Sequence, residues 1–142
     1  MKDLENKYCN CLYYSANALA RKLTRMAEEE FAITGLSPSY AFLLLSVNSH
    51  EGIQPSELSQ LMQLSPSTVT RLMEKMESKD YIRRETSGRK TEVYPTDAGK
   101  ELEPKIKKAW KQLYHRYAEL IGEEQAKNLT QLSYAASKAL EG

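Results

Sequence analysis

Apolar residues recur along most of this chain at steps of three and four, the spacing that lines one face of an α-helix. In the first segment Leu4, Tyr8, Leu12, Ala16, Leu19, Leu23, Met26 and Ala27 keep that spacing and predict one long amphipathic helix, with Gly35 placed to end it. Ser37-Pro38 has the form of an N-cap followed by proline at the first helical position. It opens a short, very apolar helix through Phe42, Leu44 and Val47, closed by Gly52. Gln54-Pro55 opens a third helix with Leu58, Leu61 and Met62 inward, and Ser65-Pro66 opens a fourth over about residues 66–79. The interval at 63–65 has room only for a tight turn, so the two read as a helix-turn-helix.

The period changes after Asp80. Tyr81-Ile82-Arg83-Arg84 and Thr91-Glu92-Val93-Tyr94 are short, rich in β-formers and separated by a segment holding Ser87-Gly88, which predicts a hairpin. Thr96 is placed to cap a fifth helix carrying Leu102, Ile106, Ala109, Trp110, Leu113, Tyr117 and Leu120. Gly122 interrupts it, and Glu123-Glu124 suits the first turn of a last helix with Leu129, Leu132, Ala136 and Leu140. The fold class is therefore mainly α with a small β-hairpin, in the order α-α-α-α-ββ-α-α. Large helical stripes at both ends of the chain suggest a dimer interface built from the two termini.

At 142 residues the chain is the length of one domain, and 41% hydrophobic with 27% charged residues suits a soluble globular protein. No stretch has the length and apolarity of a membrane span, and the acidic, polar start MKDLENKY is unlike the head of a secretory signal, so a cytoplasmic location is expected. The net charge of +1 does not by itself indicate nucleic acid. A DNA-binding face would have to concentrate its positive charge locally. Cys9 and Cys11 are two apart, which on a helix places them about 200° apart and unable to pair. No other cysteine or histidine pair has zinc-ligand spacing, so neither a metal nor a cofactor is expected.

The fourth helix separates into two faces. Val69, Leu72, Met73 and Met76 share one sector and form the core side. Ser67, Thr70, Arg71, Glu74 and Ser78 lie opposite, flanked by Thr68 and Lys75. Small hydroxyls beside the free N–H groups of the first turn suit a close approach to phosphate, and an arginine one turn in presents a fork that fits guanine O6 and N7. A solvated helix face has similar residues, so the surroundings decide. Here a helix-turn-helix spacing precedes the helix, and a hairpin with Arg83, Arg84, Arg89 and Lys90 follows it. Its tip, Ser87-Gly88-Arg89-Lys90, is thin and basic enough to enter a minor groove, although lysine and arginine also guard the edges of ordinary hairpins.

These residues carry a family resemblance. Leu58-Ser59, Leu64-Ser65, Thr68-Val69-Thr70-Arg71-Leu72, Met76-Glu77 and Tyr81-Ile82-Arg83-Arg84, then Arg89, Val93, Thr96 and Gly99, resemble the MarR family of bacterial regulators. The resemblance implies a winged helix-turn-helix over about 36–98, flanked by dimerisation helices over about 4–34 and 97–141, within a single domain spanning 1–142. It also implies a homodimer that binds a near-palindromic operator in double-stranded DNA, usually as a repressor. By matching position, Ser65, Ser67, Thr68, Thr70 and Arg71 would meet the major groove and Arg89 the minor groove, with Lys75 and Lys90 beside them. Two positions depart from the pattern. Ser87 stands where the family often has an aspartate that helps fix the wing arginine, and Pro95 replaces a common leucine.

Regulators of this kind usually release DNA when a small phenolic or amphipathic ligand binds, or when a cysteine is oxidised. The stretch from Leu4 to Cys9, with Tyr13 beyond it, resembles the peroxide-sensing branch and makes Cys9 a candidate redox residue. Cys9 equally suits an ordinary small apolar position on an interface helix. An enzyme is not expected, because His50 and His115 carry no motif and no phosphate-binding or nucleophile loop is present. Trp110 and most tyrosines are at core spacing and read as packing. A winged helix that binds protein instead of DNA remains the structural alternative.

Overall fold

The computed structural model describes residues 1–141. Its elements are α1 (Lys2–Tyr8), α2 (Leu12–Phe31), α3 (Pro38–Ser49), α4 (Pro55–Met62), α5 (Pro66–Ser78), β1 (Ile82–Ser87), β2 (Lys90–Pro95), α6 (Asp97–Ile121) and α7 (Glu123–Ala139). A single 3-10 turn, Ala32–Thr34, follows α2. The residues divide into two compact units, one of 1–27 with 110–142 and one of 28–109.

In the 28–109 unit α3 is the centre. Ala41, Leu43, Leu44, Leu45 and Val47 are all buried, and only Ser39 and Ser49, near its two ends, are exposed. A helix this apolar has to be covered by several neighbours, and α4, α5 and β2 pack against it. The α5 stripe meets it as expected: Val69, Leu72, Met73 and Met76 are buried. Leu58 of α4 is fully buried, but Leu61 is 63% exposed, which corrects its expected inward position. A helix of two turns packs one narrow stripe, and Leu58 takes it.

Both ends of the helix-turn-helix close by the same device. After α4, Gln63 turns left-handed at φ 53, while its N–H donates to the Gln60 carbonyl and that of Leu64 to the Ser59 carbonyl. After α5, Asp80 does so at φ 63, with Asp80 N–H to the Glu77 carbonyl and Tyr81 N–H to the Met76 carbonyl. This is the Schellman arrangement, which glycine usually serves. A side chain at such a position costs about 1–2 kcal/mol, so the abrupt chain reversal is held by tertiary packing.

The hairpin is antiparallel, with Ile82 opposite Pro95 and Ser87 opposite Lys90, leaving Gly88-Arg89 as a two-residue loop. Gly88 at φ 63 and Arg89 outside the left-handed region match a type II′ turn. Pro95 pairs at the strand terminus, where its missing N–H is tolerated. Ile53 adds a bridge to Val93 from the other side. The hairpin base is fixed by Thr96, whose hydroxyl donates to the Asp80 carbonyl (2.7 Å) and accepts from Gly99 N–H (3.1 Å), capping α6. A Cβ on Gly99 would run into the Tyr81 carbonyl and the Leu44 side chain.

The 1–27 and 110–142 unit is packed differently. The expected single N-terminal helix is broken: α1 ends at Tyr8, α2 begins at Leu12, and Cys9-Asn10-Cys11 lies between them. Among the described residues only Ala118 and Ala126 are buried in this unit. Trp110, Tyr8, Tyr13, Tyr14, Tyr114 and Tyr134 are exposed, so within one chain they are not the packing residues their spacing suggested. Pro104 lies inside α6, where it removes the N–H that would bond to the Lys100 carbonyl. Gly122, at φ 101, separates α6 from α7 as expected.

The Gly99 contact makes a direct prediction. Gly99→Ala should destabilise the protein by about 1–3 kcal/mol through overpacking against backbone, read as a lower urea midpoint. An unchanged midpoint would mean that the hairpin base can shift to make room.

Candidate nucleic-acid interface

The exposed start of α5 is organised around Ser65. Its backbone is extended at φ −66 and ψ 151, and its Oγ accepts from Thr68 N–H at 3.2 Å, the geometry of a helix N-cap. The same oxygen lies 2.8 Å from Thr68 Oγ1 and 3.2 Å from Ser67 Oγ. Arg71 Nη2 donates to Thr68 Oγ1 at 3.4 Å. Ser65, Ser67, Thr68 and Arg71 thus form one hydrogen-bonded group at the positive end of the helix dipole. Thr70 is turned back, its hydroxyl donating to the Pro66 carbonyl at 2.9 Å, so it offers an acceptor outward. Lys75 is exposed one turn further along.

The ion pairs sort the remaining cations. Arg84 pairs with Glu77 at 2.6 Å, joining β1 to α5. Arg83 pairs with Glu85 and its guanidinium lies 4.7 Å from the Tyr94 ring centroid. Lys90 is 3.7 Å from Glu92. Among the described residues Arg71, Lys75 and Arg89 have no carboxylate partner. Arg89 occupies the apex of the hairpin, held up by the II′ loop. The hairpin is consequently less basic in effect than its composition suggests, and its free charge is at the tip. The spacing of Glu77 and Arg84 in the sequence did not mark them as partners, because the turn at Asp80 brings them together.

No group of three or more His, Cys, Asp or Glu side chains could hold a metal ion among the described residues. No single helix there is long and apolar enough to cross a membrane. Cys9 and Cys11 are both free and exposed. The Cys9 thiol lies 3.5 Å from the Asn6 carbonyl, and among the described residues no tyrosine hydroxyl bonds to it. Within the terminal unit an open apolar cavity of about 380 Å³ is lined by Leu19, Leu23, Ala27, Leu113, Ile121, Ala126 and Leu129, with hydroxyls of Thr24, Tyr117, Thr130 and Ser133. Burial pushes the Tyr117 phenol pKa up, with Tyr114 adding to the effect, so this hydroxyl stays protonated at neutral pH.

Known proteins share this architecture. Residues 34–90 match the MarR family model. The HTH-type transcriptional repressor MdtR of Bacillus subtilis is 25% identical over 130 residues, covering 89% of this chain and 84% of MdtR. The solved structure of the repressor CouR bound to p-coumaroyl-CoA superposes with a TM-score of 0.81 at 20% identity, over 96% of each chain. That of the S. aureus MepR–DNA complex gives 0.79 at 15% identity, over 92% of this chain and 98% of MepR.

The cap geometry separates two roles of Ser65. Ser65→Ala should cost about 1 kcal/mol of stability and Ser65→Gly only a few tenths, measured by urea unfolding. Equal losses would mean that the hydroxyl is not working as the cap.

Proposed function

We propose that this chain, a member of the MarR family of DNA-binding transcriptional regulators, acts as a homodimeric repressor on a near-palindromic operator until a small amphipathic or phenolic ligand releases it. The observation that carries the reading is the exposed α5 terminus, where the Ser65 group and Arg71 meet no carboxylate of their own chain. An unpaired guanidinium beside a row of hydroxyls at a helix N-terminus is complementary to the acceptors of DNA. In this reading Ser65, Ser67, Thr68 and Thr70 approach phosphates and base edges, Arg71 reads guanine, and Lys75 neutralises phosphate. Arg89 and Lys90 reach the minor groove from the wing. Residues 36–98 form the DNA-binding part and 4–34 with 97–141 the dimerisation part. The family consists of regulators, not enzymes.

Dimerisation is supported by the surface of the terminal unit. Among the described residues twelve of the fourteen large exposed hydrophobics belong to it, including Leu12, Leu120, Leu132 and Leu140. Two buried alanines do not make a core, and an apolar surface of this extent calls for a partner. A second copy is the simplest one, since a two-fold interface joins like to like. The ligand reading is supported by the neighbour bound to p-coumaroyl-CoA. A thiol trigger at Cys9 is supported by its exposure.

Salt and substitution test the reading surface. Arg71→Ala should weaken operator binding by about 1–3 kcal/mol and relax preference at one base pair, while Arg89→Ala should weaken binding more evenly across sequences. The operator is first selected from random duplexes, and the wild-type affinity should fall steeply with salt. If both variants bind like wild type, this face is not the reading head, and a salt-independent protein partner becomes the better account.

The dimer has its own test. Leu132→Glu combined with Leu140→Glu should convert a sedimenting dimer into a monomer and lose operator binding along with it. A wild-type chain that sediments as a monomer at micromolar concentration would remove the dimer from the proposal.

A further inference from the structure

Arg84 stands on the inward face of the hairpin. Side chains alternate along a strand, so it shares a face with Ile82, which is 2% exposed, and its partner across the hairpin is the fully buried Val93. Beyond Ile82 on β1, and before Val93 on β2, no strand residue is buried. Apolar packing therefore holds only the base of the hairpin. Above that base Arg84 reaches back to the last turn of α5 and pairs with Glu77 at 2.6 Å.

The hairpin's other ion pairs cannot do what this one does. Arg83–Glu85 and Lys90–Glu92 each join residues two apart on one strand, so neither sets an angle between elements. Among the described residues Arg84–Glu77 is the one ion pair that ties the hairpin to α5. Its two side chains are only 33% and 31% exposed, so water screens them less than an open surface pair. The lever above the base is long. Ser87 is five strand steps from Ile82, about 17 Å at about 3.4 Å a step. A swing of about 10° at the base therefore moves the tip by about 3 Å, half the roughly 6 Å width of a minor groove.

We propose that Glu77 and Arg84 are positioning residues for DNA recognition, whose ion pair fixes the angle of the wing on α5 and so the separation between Arg71 and the Arg89 tip. The inference rests on the reading of α5 and the wing as the DNA-contacting face. Neither residue itself touches DNA in this account. The Arg84 charge is neutralised by Glu77, and what reaches the operator is the placement of Arg89. Arg71 and Arg89 address grooves that lie side by side on the duplex, so both contacts form together only at one separation. Removal of Glu77 has opposite consequences by charge and by position. By charge alone it deletes a negative group and frees an arginine, which strengthens the attraction to phosphate. By position it loosens the wing and weakens the complex with the operator. The sign of the change separates the two.

A double-mutant cycle of Glu77→Ala and Arg89→Ala in the full chain tests the pair, read as affinity for the duplex that the wild type selects from random sequences. Glu77→Ala should weaken binding about tenfold in the wild-type background. In the Arg89→Ala background it should change affinity by less than about twofold, because no tip contact is left to misplace. Footprints should split in the same way. The Glu77→Ala complex should lose protection of the flanking minor groove from hydroxyl radicals while guanine N7 stays protected from dimethyl sulfate. A loss of folded protein lowers affinity equally in both backgrounds, and equal losses would overturn the proposal. So would unchanged or tighter binding by Glu77→Ala where Arg89→Ala alone is weakened, a result that leaves the DNA-contacting face as assigned. If Arg89→Ala alone binds like wild type, the wing is not part of that face, and the positioning role falls with it.

Discussion

The burial of the apolar residues of α3 is the constraint from which the outward face of α5 follows. A helix carrying Leu43, Leu44 and Leu45 in succession spreads its apolar residues over most of its circumference, so several neighbours have to pack on it. Each neighbour has only one apolar face to give. For α5 that face is Val69, Leu72, Met73 and Met76, and committing it to the core fixes which side points outward. Ser67 and Arg71 are on the outside because the methionines are on the inside. The hairpin is held by the same core through Ile82 and Val93, and Gly99 allows the Tyr81 carbonyl to approach the start of α6 where any larger residue would intrude.

The two units solve the problem of apolar surface in opposite ways. The 28–109 unit contains nearly all of the buried hydrophobic side chains, with sharp turns at Gln63 and Asp80 held in left-handed conformations that it is stable enough to sustain. The terminal unit leaves its leucines and aromatics in the open. A self-sufficient core and an exposed one in the same chain fit a division of labour in which one part presents a rigid surface and the other supplies association. Ion pairs sharpen that surface. Glu77, Glu85 and Glu92 occupy Arg84, Arg83 and Lys90, which ties the hairpin together and leaves uncompensated charge at Arg71, Lys75 and the Arg89 tip. A protein with a net charge of +1 can in this way still present a positive face.

Much of this was legible in the residues. Proline after a capping residue marked the starts of α3, α4 and α5, Thr96 marked α6, and Gly122 marked the junction with α7, because those signals act within one turn of chain. The α5 core stripe was legible for the same reason, since a period of 3.6 residues is a local property. The errors fell where distance along the chain mattered. Leu61 has the right spacing but no neighbour to pack on, and the tyrosines and Trp110 have core spacing in a unit that forms no core of its own. The break at Cys9-Asn10-Cys11 was hidden because the apolar stripe runs through it without a change of phase.

What the sequence by itself determined was the set of helices, the hairpin, the inward face of α5 and the cluster of hydroxyls around Arg71, all governed by residues a few positions apart. What only the tertiary structure decided was which cations stay unpaired, how Arg89 is raised on a two-residue loop, and where the first helix breaks. Those depend on groups that the turns at Asp80, Gly88 and Asn10 bring together. Periodicity describes a face of a helix, but the partner of that face is set by chain reversals whose geometry no spacing rule contains.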